Sequence, residues 1–100
     1  MEDQKRKPGK NQLDIELNDE VAQGTYSNLA VITHSSAEFV LDFVRIMPGV
    51  PKAQVKSRII LTPEHTKRLL RALEDNIKKY EAVHSEIIDK GPGGPAMPMS

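Results

Sequence analysis

A chain of 100 residues with 14 Lys plus Arg and 14 Asp plus Glu holds one domain at most and carries no formal net charge, which excludes a multidomain enzyme. Its apolar fraction of 38% lies below the roughly 45–50%, glycine included, of an average globular domain, so part of the chain is expected to be tail. With no cysteine, disulfides, zinc ribbons, thiolate catalysis and iron–sulfur clusters are excluded, because each needs a sulfur atom.

Residues 1–10 are almost wholly polar and residues 91–100 hold three prolines and three glycines. Neither stretch offers enough apolar surface to offset the entropy of ordering it. Both read as disordered tails around a single folded domain at 11–90. The charged start is not followed by the apolar run of a signal peptide, and no stretch approaches the ~18–20 apolar residues of a membrane span. A cytoplasmic protein with no membrane contact is expected.

Leu13, Ile15 and Leu17 alternate with Asp14 and Glu16, the period-two pattern of a half-buried strand. Asn18, the acids Asp19 and Glu20, and Gly24 then suit a single helical turn with a capping residue and a closing glycine. The stretch from Tyr26 to His34 is β-prone, and Ser35, Ser36 and Ala37 form a tight connection. A second strand is expected from Glu38 to Ile46. It places Phe39, Leu41 and Phe43 on one face and Val40, Val44 and Ile46 on the other, so neither face suits water. Pro48 and Gly49 fit the centre of a type II turn. Ala53 to Leu61 reads as a third consecutive strand, which makes a meander.

Thr62, Pro63 and Glu64 form a strong helix start: the hydroxyl caps, proline tolerates the first position, and the acid faces the positive end of the dipole. Thr66, Leu69, Leu70, Leu73, Ile77, Tyr80, His84, Ile87 and Ile88 form one stripe at helical spacing, with Arg71, Glu74, Asp75 and Lys78 opposite. Glu74 with Lys78 and Asp75 with Lys79 are favourable i,i+4 pairs. A helix running to about Asp89 would be roughly 40 Å long, longer than a nine-residue strand at about 30 Å. Its last turns are expected to overhang the sheet. The chain is therefore read as an α+β domain, a small antiparallel β-meander of three or four strands packed against one long C-terminal helix.

One helix covers one face of a meander, and a folded core under ~80 residues is marginal without a staple. A homodimer or higher homo-oligomer is expected, with Val40, Val44, Ile46, Tyr80, His84, Ile87 and Ile88 at the interface. The alternative is that the N-terminal strand and turn wrap the second face.

The strings Gly24-Thr25-Tyr26-Ser27-Asn28-Leu29-Ala30, His34-Ser35-Ser36-Ala37-Glu38-Phe39-Val40-Leu41-Asp42-Phe43 and Lys56-Ser57-Arg58-Ile59-Ile60-Leu61-Thr62-Pro63-Glu64-His65 resemble the bacterial domain-of-unknown-function family 3467. The resemblance runs from about Leu13 to Glu81. None of these strings is a catalytic signature, so the resemblance names a family and no activity. By association it implies a link to transcription.

Neutrality is a cancellation between two blocks. Residues 11–44 carry Asp14, Glu16, Asp19, Glu20, Glu38 and Asp42 with no Lys or Arg, whereas residues 52–71 carry Lys52, Lys56, Arg58, Lys67, Arg68 and Arg71 against Glu64 alone. Lys56, Arg58, Lys67, Arg68 and Arg71 are the candidate binding residues, a strand-to-helix patch for phosphate, nucleic acid or an acidic protein. The simpler reading pairs them with the acidic strands, within a chain or across a dimer. The chain's four aromatics are not interleaved with the bases, which disfavours a stacking platform for single strands.

His34 beside Ser35 and Ser36 brings an imidazole near hydroxyls, but no nucleophile elbow surrounds them, and a turn closed by serine hydroxyls explains them better. Glu81 and His84 have the Glu-x-x-His spacing of di-iron bundles, yet no second long helix brings the further acids. Gly91 to Gly94 follow a helix, where a phosphate loop must precede one. The chain is thus read as a non-enzymatic, self-associating interaction or assembly module without cofactor or metal. A nucleic-acid- or transcription-associated factor using the basic patch is the alternative, and a chaperone similar to SecB is a second.

Overall fold

The computed structural model describes residues 13–90, so the tails expected at 1–10 and 91–100 lie outside the described residues. In chain order the elements are α1 (Asp19–Ala22), β1 (Leu29–His34), β2 (Phe39–Arg45), β3 (Gln54–Leu61) and α2 (Pro63–Val83). The strands form one three-stranded antiparallel sheet in the order β1-β2-β3. The α+β arrangement is the one the hydrophobic periods predict.

Local chemistry accounts for each boundary. The Asn18 side chain accepts from the Val21 amide at 2.8 Å and caps α1. Gly24, at φ +80°, lets the chain leave the turn, and its amide donates to the Val21 carbonyl. The Ser35 hydroxyl accepts from the amides of Ala37 and Glu38 and closes the β1–β2 hairpin, the structural role expected for that serine. Between β2 and β3, Gly49 takes φ +80° and the Val50 amide returns to the Met47 carbonyl at 3.1 Å, as a type II turn with Pro48 ahead of it requires. At α2, the Thr62 hydroxyl accepts from the His65 amide, with Pro63 in the first turn.

Residues 13–18 depart from expectation. They belong to no strand, and Leu13, Ile15 and Leu17 are all exposed. Alternation specifies which side chains want cover, but a strand exists only where a neighbouring backbone completes its ladder, and this segment has none among the described residues. The end of α2 is the second departure. The helix stops at Val83 rather than near Asp89, which makes it about 31 Å long. A Glu81 carboxylate oxygen accepts the Ile87 amide at 2.8 Å, so this donor is satisfied outside the helical ladder. His84, Ile87 and Ile88 accordingly fall off the stripe to which their spacing assigns them.

Residues directly opposed in the ladder share a face of the sheet. One face carries the rows His34–Phe39–Leu61, Ile32–Leu41–Ile59 and Ala30–Phe43–Ser57; the other carries Thr33–Val40–Ile60, Val31–Asp42–Arg58 and Leu29–Val44–Val55. A bulge at Phe43/Val44 leaves Lys56 without an opposing residue, so the even alternation expected of Lys56 and Arg58 is interrupted. Among the described residues the buried ones are Leu41 and Val44, each 6% exposed, one on each face of the central strand.

No residue of α2 is buried, and Leu70 and Leu73 are 52% and 54% exposed. The helix follows the sheet, but its apolar stripe is not sealed within the chain. The uncovered surface is therefore the whole stripe and not only the last turns.

Candidate interaction site

The features that bear on binding are this stripe, the basic block and the edges of the sheet. On α2, Thr66, Leu69, Leu70, Leu73, Ile77 and Tyr80 fall within about 100° of the helical circumference, the width of a core-facing stripe. All five of the large residues among them are exposed. Protein helices draw little stability from propensity and most from a packed amphipathic face, and the 21-residue α2 has such a face but no buried residue on it.

The expected interface residues divide. Val40 and Ile46 are half-buried, and Val44 is buried within its own chain and offers no surface. Tyr80 remains on the helical stripe, with its ring against that of His84 at 4.6 Å between centroids. Ile87 and Ile88 are exposed beyond the helix. Leu69, Leu70, Leu73 and Ile77 were legible as apolar, but their spacing alone assigns them to the domain's own core.

The basic block is partly occupied. Arg58 meets Asp42 through two hydrogen bonds, Nε to Oδ1 at 2.6 Å and an Nη to Oδ2 at 2.8 Å. The two residues are direct cross-strand partners on β3 and β2, so the ladder register itself delivers the guanidinium to the carboxylate. These hydrogen bonds hold the Asp42 carboxyl below its ordinary pKa, with partial desolvation opposing and the Arg58 charge assisting. The same hydrogen bonds raise the Arg58 guanidinium. Arg68 pairs with Glu64 at 2.9 Å, and Lys79 pairs with Asp75 at 3.2 Å, each one helical turn apart. The Arg58–Asp42 pair joins a base of the block to an acidic strand, as the simpler reading expects, whereas the other two pairs are local to α2.

Lys67 and Arg71 lie opposite the apolar stripe, where Glu64, Glu74 and Asp75 are interspersed with them. That face is a mixed, solvated surface. The five candidate binding residues therefore form no single cationic patch: Arg58 and Arg68 are neutralised locally, Lys56 sits in the bulge, and Lys67 and Arg71 share their face with acids. Among the described residues no group of three or more His, Asp or Glu is placed to hold a metal ion. No helix among them is long and apolar enough to cross a membrane.

One residue with a structural task carries no sequence signal of it. The Asn28 side chain donates to the Ile46 carbonyl at 3.0 Å and accepts the Ile46 amide at 2.9 Å, while its own amide donates to the Val44 carbonyl. A side-chain amide here imitates one more backbone pair and extends the β1–β2 ladder past its end.

No curated protein matches the chain, and no solved structure does. A family model described as a protein of unknown function, DUF3467, matches residues 1–89. With nearly nine-tenths of its length matched by that model, and with the Tyr-Ser-Asn string leading into β1, Glu-Phe-Val-Leu-Asp-Phe running into β2 and Thr-Pro-Glu-His opening α2, the chain belongs to the DUF3467 family.

Proposed function

We propose that this protein is a self-associating interaction module, without catalytic chemistry of its own, that works by seating the apolar stripe of α2 against a second copy. The observation that carries the reading is that the large apolar residues of that stripe, from Leu69 to Tyr80, are left exposed on a helix with no buried residue. A second copy is favoured as occupant by charge. Asp42 with Arg58 and Glu64 with Arg68 are matched within the chain, but the other acids at 11–44 and the bases Lys52, Lys56, Lys67 and Arg71 leave the chain complementary to itself, and a two-fold interface lets each set meet the other twice. Expected behaviour is a dimer or larger assembly in light scattering at tens of micromolar. Leu73→Glu combined with Ile77→Lys returns it to monomer while the sheet remains; a wild-type monomer defeats the reading.

The exposed stripe also favours a second reading, a chaperone that holds unfolded clients on apolar surface. Suppression of client aggregation by wild type, abolished by the same two substitutions, supports it. An assembly whose stripe is sealed between copies and which leaves aggregation unchanged removes it.

A further inference from the structure

We propose that residues 13–17 of one copy add as a fourth strand to the β3 edge of a second copy. The inference rests on self-association but names a contact distinct from the α2 stripe. Leu13, Ile15 and Leu17 have the alternation of a half-buried strand and are nevertheless exposed, Leu13 to 76%. Among the described residues the sheet meanwhile ends in two unpaired edges, since β1 and β3 each have β2 as their one ladder partner. An open edge of backbone donors and acceptors is a template for another strand.

Charge and facing choose the edge. A strand added to β3 with Leu13, Ile15 and Leu17 beside Ser57, Ile59 and Leu61 extends the face that carries Phe39, Leu41 and Phe43. The same placement turns Asp14 and Glu16 to the face of Arg58, next to the Lys56 bulge. Opposite charges on neighbouring strands stabilise a sheet and like charges oppose it. The β1 edge carries no Lys or Arg from Leu29 to His34, so it has nothing to match the acids. Five residues span about 17 Å, within the roughly 26 Å of the eight-residue β3.

The donor is another copy because of connectivity. Within one chain, residues 13–17 lead through α1 into β1, the edge farthest from β3, and the chain leaves them unpaired. Reciprocal exchange about a two-fold axis gives each copy a fourth strand and covers one apolar edge on each.

Light scattering and sedimentation on the full chain test the contact. Adjacent strand amides point to opposite sides, so one of Ile15→Pro and Glu16→Pro must remove a ladder donor whatever the register. At least one of them is expected to raise the dissociation constant tenfold or more. At dilutions where the chains are dissociated, far-UV circular dichroism of the variants matches that of wild type, because the segment lies outside every element of the single chain. Asp14→Lys with Glu16→Lys weakens association, as does Lys56→Glu in a separate chain, and an equimolar mixture of the two recovers it in part. Two proline variants that associate as tightly as a dimeric wild type overturn the strand contact and leave the helix contact standing. A monomeric wild type overturns both.

Discussion

Asp42 and Arg58 face each other directly across β2 and β3, and the guanidinium reaches both carboxylate oxygens, at 2.6 and 2.8 Å. The pair sits between Val31 and solvent: Asp42 is 14% exposed at its side chain and Arg58 63%. Its place midway along the β2–β3 ladder ties a charge pair to strand register. A slip of one residue would carry Arg58 to the opposite face and leave Asp42 among valines.

The pH dependence follows from the direction of the shift. The Asp42 pKa is lowered in the folded chain, so the unfolded chain binds its proton more readily. The stabilisation is complete above the unfolded carboxylate range, near about pH 4, and fades as pH falls through the lower folded value. Urea midpoints are expected to drop between pH 7 and pH 3 in wild type. In Asp42→Asn this part of the drop disappears, and an undiminished drop would assign acid sensitivity to other carboxylates.

Asn28→Ala removes both side-chain hydrogen bonds to Ile46. The position is exposed, so water replaces part of what is lost, and a cost of about 1–2 kcal/mol is expected. Hydrogen exchange localises the effect: the Ile46 amide loses protection while β2 amides paired with β3 keep theirs. Uniform loss across the sheet would mean that Asn28 acts on global stability alone.

Thr62→Ala leaves the His65 amide without its cap and is expected to cost about 1 kcal/mol, read as a lower thermal midpoint. Thr62→Asp retains an accepting oxygen at the positive end of the helix dipole and is expected to hold the wild-type midpoint. Equal losses in both variants would show that the hydroxyl does not act as a cap.

Gly49→Ala isolates a backbone effect. No atom lies within 4 Å of the position a methyl group would take, yet φ is +80°. The expected cost of about 1 kcal/mol is conformational and not steric. A glycine-to-alanine change without effect on the urea midpoint would mean that the Met47–Val50 turn opens freely.

For the proposed contact between α2 stripes, the combined change Leu73→Glu and Ile77→Lys is expected to weaken self-association by about a hundredfold or more, since each copy would lose central apolar contacts. Analytical ultracentrifugation over a concentration series reads the change. Lys67→Glu on the opposite helical face serves as the control and leaves association within about threefold.

Local features were legible in the sequence because their chemistry is local. Asn18 and Thr62 as caps, Gly24 and Gly49 at positive φ, the Ser35 turn and the start of α2 at Pro63 each depend on residues within four positions. The three meander strands were legible from their β-rich alternation and from the turns between them. The family was legible from strings that fall on the sheet and on the helix start. Tertiary structure decided what depends on distant backbone. Residues 13–17 have the pattern of a strand but no ladder in their own chain, and Asn28 acquires its role from Ile46, eighteen positions away. Asp42 meets Arg58 through register, and Glu81 reaches the Ile87 amide beyond the helix end at Val83. The α2 stripe is the clearest case: periodicity identifies a face that must be covered, but whether its own sheet covers it depends on how the chain packs. In this chain the stripe is left exposed.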